Sequence, residues 1–153
     1  MMITTLAYIV VGFGILRLVI ATLNLLLQER LPQPKSRESL PSLSVLIPAR
    51  NEAHNIEAIL SDLTHVESEC LLEIIVCDDA SEDSTAELVE TWMQRDSRIR
   101  LISSSGPPSG WLGKNHACHL LSRQARGRYL LFLDADVRLS PAFIERALSY
   151  ATI

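Results

Sequence analysis

The sequence predicts an α/β fold: a mostly parallel sheet with flanking helices, preceded by one transmembrane helix. Three observations predict it. From residue 43 onward, short apolar runs of strand type alternate with segments whose apolar residues recur at helical spacing. Each apolar run ends in a polar or turn-forming cluster. The front of the chain, Met2 to Leu27, is almost wholly apolar. Strands alternating with helices at this spacing imply right-handed crossovers and a parallel sheet.

As a helix, the front segment would extend roughly 35–40 Å, enough to cross a bilayer with some tilt. Arg17 and Asn24 interrupt it. An arginine at such a depth costs about 2.5–3.5 kcal/mol on insertion scales, but it can snorkel or face a partner helix. A cleaved signal peptide fits less well: no basic residue precedes the run, the run is long, and no small-residue cleavage site follows. Arg30, Lys35 and Arg37 lie just after the run. The positive-inside bias therefore places the remainder in the cytoplasm, as a single-pass membrane protein. Gly12-Phe13-Gly14 is no dinucleotide fingerprint, because Arg17 stands where the third glycine belongs.

Leu31 to Pro41 carries three prolines among charged residues and reads as a linker. The division is a membrane helix at 1–27, a linker at 28–42 and one α/β domain at 43–153. The first strand is Leu43 to Ile47, ended by Pro48. Ala53 to Leu63 follows as a helix, with Ile56, Ile59, Leu60 and Leu63 on one face. Glu73 to Cys77 is the second strand. Thr85 to Met93 is a helix with Asp83 or Ser84 as its N-cap. Ile99 to Ile102 is the third strand, Lys114 to Gln124 a helix, and Tyr129 to Leu133 the fourth strand. Ser140-Pro141 then opens a last helix, serine as cap and proline at its first position. Strands two and four are near-continuous apolar runs, as expected when helices cover both faces.

A chain of 153 residues makes one domain of ordinary size. Its formal net charge of −4, without a basic patch, argues against nucleic acid as a partner. The three cysteines, Cys70, Cys77 and Cys118, are odd in number, and Cys77 sits inside a predicted strand, which fits a reducing compartment. His116, Cys118 and His119 match no usual zinc spacing.

In open α/β sheets, ligands bind at the carboxyl ends of the strands. Four clusters fall there. Pro48-Ala49-Arg50-Asn51-Glu52 follows strand one. Asp78-Asp79-Ala80-Ser81-Glu82-Asp83 follows strand two and holds four acids in six residues, more than a helix cap requires. Adjacent carboxylates repel unless donors bind them, and nucleotide base or ribose groups would supply such donors. Gly106 to Lys114 is a flexible loop with an aromatic at its tip and a lysine at a helix start, where phosphate is attracted; it is not a Walker loop. Asp134-Ala135-Asp136 ends strand four. Two acids one residue apart can hold a divalent cation with positions left open for a phosphate. The chemistry shared by the four clusters is that of a nucleoside diphosphate.

These segments, Val45 to Glu52, Ile75 to Thr85, Gly110-Trp111-Leu112-Gly113-Lys114 and Phe132 to Asp136, resemble family 2 glycosyltransferases of the GT-A fold, whose first half is a Rossmann-like nucleotide-binding unit. The front helix and the G-W-x-G-K segment are most similar to members acting on hopanoid, carotenoid or ceramide-type lipid acceptors. The resemblance implies a nucleotide-sugar donor, expected to be a UDP-sugar, and Mg²⁺ or Mn²⁺. By resemblance, Pro48, Ala49, Arg50 and Glu52 line the nucleotide pocket, and Asp78 and Asp79 hold the base and ribose. Lys114 approaches the nucleotide or its phosphates, Asp134 faces the ribose or metal, and Asp136 ligates the metal. An acceptor hydroxyl would then attack the anomeric carbon with inversion. Such enzymes carry their catalytic base well beyond the D-x-D, so the expectation is a donor-binding half, incomplete at its carboxyl end and inactive alone. Two alternatives stand beside it: a non-catalytic nucleotide-sugar-binding fragment, and a phosphatase of the haloacid dehalogenase type with Asp134 as nucleophile.

Overall fold

The structure is a computed structural model that describes residues 2–27 and 40–152. The basic residues Arg30, Lys35 and Arg37 and most of the expected linker lie outside the described residues. The chain divides into two compact units. The first is carried by helix α1, Met2–Leu26. Within it, Thr4–Leu26 is 23 residues long with a mean hydropathy of 2.2, long and apolar enough to cross a membrane. The Arg17 guanidinium lies over the Phe13 ring, 5.6 Å from its centroid, which covers part of the charge within the helix itself.

The second unit contains β1 (Leu43–Ala49), α2 (Ile56–Thr64), β2 (Leu71–Asp79), α3 (Thr85–Met93), β3 (Ile99–Ser104), α4 (Gly113–Gln124), β4 (Tyr129–Phe132) and α5 (Phe143–Ala151). The strands form a sheet of order β3-β2-β1-β4, parallel at every pairing. The chain starts in β1, steps outward through β2 to β3, and returns along α4 to β4 on the other side of β1. The order reverses between β1 and β4, so the crevice at their carboxyl ends is a topological switch point.

Alternate residues of each strand serve different cores. Val45, Ile47, Ala49, Ile74 and Val76 pack with Ile56, Ile59, Leu60 and Val89 on one face. Leu46, Ile75 and Cys77 pack with Ala117 and Leu121 of α4 on the other. Burial pushes the Cys77 thiol up to about 12, helped by Asp79 and Asp78, so it stays a protonated core group.

Four expectations need correction. Strand β1 does not end at Pro48; it runs to Ala49. The N–H of Leu133 donates to the Leu46 carbonyl, so Leu46 faces β4, and Pro48, two residues on, shares that side. Pairing with β4 has ended by then, at Leu46 opposite Phe132, so the missing proline N–H removes no ladder bond. Strand β2 likewise runs through both aspartates, paired with Ser103 and Ser104 of β3. Strand β4 is not covered on both faces: it lies at the end of the sheet, with Leu130 41% and Phe132 43% exposed. Helix α5 starts at Phe143, not Pro141, because Ser140 accepts the Phe143 N–H through its carbonyl and closes a separate turn first.

The amino ends of the strands are joined by one buried carboxylate. The Glu73 side chain is 3% exposed. It accepts from Ser44 Oγ at 2.7 Å, the Arg126 N–H at 2.6 Å and Arg100 Nη1 at 2.7 Å. Ser44 Oγ in turn accepts the Gly127 N–H at 2.8 Å. This seats the segment before β4 tightly on β1: a Cβ on Gly127 would lie 2.4 Å from the Ser44 nitrogen. Burial pushes the Glu73 carboxyl up, but the Ser44 hydroxyl, the Arg126 N–H and Arg100 together hold it below its ordinary 4.5.

Two outcomes follow for urea denaturation. Glu73→Ala is expected to cost about 3–5 kcal/mol, because it leaves Arg100 and Ser44 without their buried acceptor. Gly127→Ala is expected to cost about 1–3 kcal/mol, since the backbone of Ser44 must move. Because the folded carboxyl titrates below the unfolded one, its contribution is whole above pH 4.5 and is lost as the pH falls further. Glu73→Gln should therefore flatten the acid limb of the stability profile.

Candidate functional site

A cleft of about 410 Å³ opens at the switch point. The end of β1 contributes Pro48, Ala49, Arg50 and Glu52, and β2 contributes Asp79. Helix α4 contributes Gly113, Lys114 and Ala117, and the segment after β4 contributes Asp134, Ala135 and Asp136. Three carboxylates beside Glu52 thus face one space with two cations, Arg50 and Lys114.

Asp78, expected with Asp79 to hold base and ribose, is not among the residues lining the cleft. Both residues lie in β2, where successive side chains point to opposite faces. Asp79 has the phase of Ile75 and Cys77, toward α4; Asp78 has the phase of Ile74 and Val76, toward the other core. Asp78 is 8% exposed, and its Oδ1 is buried without a hydrogen-bond partner among the described residues.

Asp79 is hydrogen-bonded on one side and packed against α4 on the other. Oδ1 accepts from Ser104 Oγ at 2.9 Å. Oδ2 occupies the space a side chain on Gly113 would need, 2.9 Å from the position of its Cβ. Gly113 is the first residue of α4, so the carboxylate stands at the positive end of the helix dipole. The glycine of the G-W-x-G-K segment is thereby explained by contact with Asp79.

Asp134 and Asp136 flank Ala135, which is 3% exposed and packs into the core. Burying the alanine turns the two acids outward. Lys114 Nζ lies 2.6 Å from Asp134 Oδ1, and this hydrogen bond pushes the ammonium's pKa up. Among the described residues, no three His, Cys, Asp or Glu side chains converge to hold a metal by themselves. The donor set is nonetheless one of hard oxygens, and an ammonium already neutralises one of them. This suits Mg²⁺ or Mn²⁺ held by one or two carboxylates together with a substrate's phosphates.

Asp83 after β2 is structural, which the sequence alone did not reveal. Asp83 Oδ1 accepts the Thr85 N–H at 3.0 Å at the start of α3, while its Oδ2 accepts the Ala53 N–H at 3.1 Å. Asn51 donates its N–H to Ser81 Oγ at 2.9 Å and accepts the Glu82 N–H on its side chain at 2.8 Å. Thr85 Oγ1 accepts the Glu52 N–H at 2.9 Å. The turn after β1, with Arg50 and Glu52, is thus stitched to the turn after β2. Asn51 and Ala80 both have φ of 56°, left-handed conformations that few non-glycine residues adopt. The signal was present as the pairing of Asn51 with the Ser81-Glu82-Asp83 run, but a separation of 30 residues hid it. Trp111, expected at a loop tip, is folded back on α4, its ring 5.7 Å from His116 and 5.2 Å from His119.

Residues 44–152 match the family described as Glycosyl transferase family 2. The chain belongs to this family. Among its relatives, the 4,4'-diaponeurosporenoate glycosyltransferase of Staphylococcus haemolyticus is 34% identical over 103 residues, 67% of this chain and 26% of that protein. The uncharacterized glycosyltransferase EpsJ of Bacillus subtilis is 30% identical over 107 residues, 70% of this chain and 29% of that protein. This family 2 chain therefore spans between a quarter and a third of the length of these relatives. Among solved structures, the mannosyltransferase PcManGT of Pyrobaculum calidifontis, in complex with GDP-Man and Mn²⁺, superimposes with a TM-score of 0.72 at 22% identity, over 97% of this chain and 43% of that one. S. aureus TarS in complex with UDP-GlcNAc superimposes with a TM-score of 0.58 at 24% identity, over 72% and 31%. At these identities the likeness is one of fold, and that fold is GT-A. The family match displaces the phosphatase alternative for Asp134.

The contact between Gly113 and Asp79 is open to a double-mutant cycle. Gly113→Ala must displace the Asp79 carboxylate and with it the Ser104 bond. Its coupling to Ser104→Ala in urea denaturation is expected at about 0.5–1.5 kcal/mol, the worth of one hydrogen bond. Strictly additive effects would show that the carboxylate stays in place.

Proposed function

We propose that this chain is the donor-binding part of a glycosyltransferase that moves a sugar from a nucleotide-sugar donor, of the UDP-sugar class, to a lipid-type acceptor. One observation carries the reading: four segments distant in sequence bring Arg50, Asp79, Lys114, and Asp134 with Asp136 to a single cleft at the switch point of a parallel sheet. Solved structures of this fold are complexes with GDP-Man, UDP and UDP-GlcNAc, which supports a nucleotide sugar as the donor class.

In this reading Pro48, Ala49, Arg50 and Glu52 form one wall of the nucleotide pocket. Asp79, rather than Asp78, offers its carboxylate to ribose or base groups. Asp134 and Asp136 hold a Mg²⁺ or Mn²⁺ ion, which when bound supplies Lewis-acid stabilisation of the leaving diphosphate. Lys114 gives up Asp134 and turns its ammonium to the phosphates. None of the cleft residues is assigned as base toward the acceptor hydroxyl, because each already has a use in holding donor or cation.

The lipid-type acceptor rests on two features: the carotenoid-type substrate named for the Staphylococcus relative, and helix α1, which is long and apolar enough to hold the protein at a membrane. The basic residues after it support a single-pass arrangement with the catalytic domain in the cytoplasm.

The test is titration calorimetry of the detergent-solubilised chain with UDP-glucose, UDP-GlcNAc and GDP-mannose, with Mn²⁺ present. Binding of a UDP-sugar is expected. Asp136→Asn should weaken it by about tenfold or more, the loss of one charge-assisted contact. Absence of binding for every nucleotide sugar would reject the reading.

A further inference from the structure

Asp62 lies on α2, outside the cleft, and its sequence context marks it only as a polar residue of a helix. Its carboxylate gathers three donors from the segment that follows Asp136. Arg138 Nε reaches Oδ2 at 2.7 Å and Nη2 reaches Oδ1 at 2.8 Å, a two-pronged pair. The Leu139 N–H adds a third bond to Oδ2 at 3.0 Å. The Asp62 side chain is 15% exposed, although that of Arg138 is 69% exposed. The Arg138 guanidinium holds the Asp62 carboxyl down at about 2, so it remains charged at any ordinary pH.

The segment so grasped carries the two outward-facing acids of the cleft. At its near end, the Leu133 N–H is bonded to the Leu46 carbonyl of β1. In the middle, Ala135 is buried and the Val137 N–H closes a turn on the Asp134 carbonyl at 3.2 Å. At its far end stands Asp62. Among the described residues, no hydrogen bond or ion pair to another side chain holds Asp136, and Asp134 has only the exposed Lys114. The positions of both carboxylates are therefore set by the backbone of this loop, and the backbone is pinned at the two ends by β1 and by Asp62.

We propose that Asp62, through Arg138 and Leu139, is a positioning residue for the cation site, holding in place the loop that carries Asp134 and Asp136. It rests on the donor-binding reading above. A purely structural role would leave the cation affinity untouched, or lower it together with the affinity for a nucleoside. Outer partners that orient metal-binding groups change that affinity by about 10–100-fold.

The experiment measures the full chain in detergent by two independent titrations: Mn²⁺ by electron paramagnetic resonance in the presence of UDP, and uridine alone without metal. For Asp62→Asn, Mn²⁺ affinity is expected to fall about tenfold, with uridine affinity and far-UV circular dichroism unchanged. Arg138→Gln, which keeps the Leu139 bond to Asp62, serves where Asp62→Asn does not fold and should show the same selective loss. Unchanged Mn²⁺ affinity in the folded variant would overturn the proposal, as would Mn²⁺ and uridine affinities falling together, the mark of general loosening. Wild-type chain that binds UDP but no Mn²⁺ would overturn it while leaving the donor reading intact. Wild-type chain that binds neither UDP nor uridine would remove the donor reading, and the positioning role with it.

Discussion

Glu73 is a carboxylate almost sealed from water in the second strand of a parallel sheet. An unpaired charge in such a place would be neutralised or expelled, because desolvation costs several kcal/mol per ion. It is kept there by donors from every neighbouring element: Ser44 on β1, Arg100 on β3, and Arg126 on the connection from α4 to β4. The ladder of hydrogen bonds would tolerate a slipped register; this cluster does not. In a strand, a slip by one residue exchanges the two faces. Asp79 would then turn away from α4, and the cleft would lose its central carboxylate. The amino edge of the sheet thus holds the chemistry of the carboxyl edge in phase.

At that carboxyl edge the acids divide by task. Asp83 is used up in the start of α3 and in the stitching of two turns. Asp79, Asp134 and Asp136 face the cleft, and Lys114 offsets part of their charge. The left-handed residues Asn51 and Ala80 sit at the two turns that frame the opening. Each costs roughly 1–2 kcal/mol in local backbone energy for a residue with a Cβ, and the interlocking hydrogen bonds between the turns offset it. The rigid stitching of the β1 and β2 turns contrasts with the exposed ion pair between Lys114 and Asp134. The turns that frame the cleft are fixed, and the exposed Lys114–Asp134 pair is left able to exchange partners.

Much of this was legible in the sequence. The strand cores are continuous apolar runs, and the helices show their buried faces as Ile56, Ile59, Leu60 and Leu63 or Ala117 and Leu121. The four polar clusters were readable as one edge, because in a parallel sheet every strand ends on the same side. Strand limits were less legible. A proline reads locally as a stop, yet Pro48 continues β1 because its missing donor faces a side where no partner strand remains. The apolar run of β4 reads as doubly buried, yet Leu130 and Phe132 lie on a partly uncovered face: β4 ends the sheet, and α4 packs mainly on β1 and β2.

By itself, the sequence determined the alternating architecture, the membership of family 2, and seven of the residues expected to hold substrate, together with Asp136, on the walls of one cleft. These depend on local apolar runs and on motif residues adjacent in the chain. The tertiary structure alone decided that Asp78 turns away while Asp79 faces in, since that is a matter of pleat phase, which two neighbouring aspartates do not reveal. It also decided the partners of Glu73, of Asp62 and of Gly113. Those contacts join positions 27 to 77 residues apart, and no local pattern encodes which distant donor a carboxylate will find once the strands are in register.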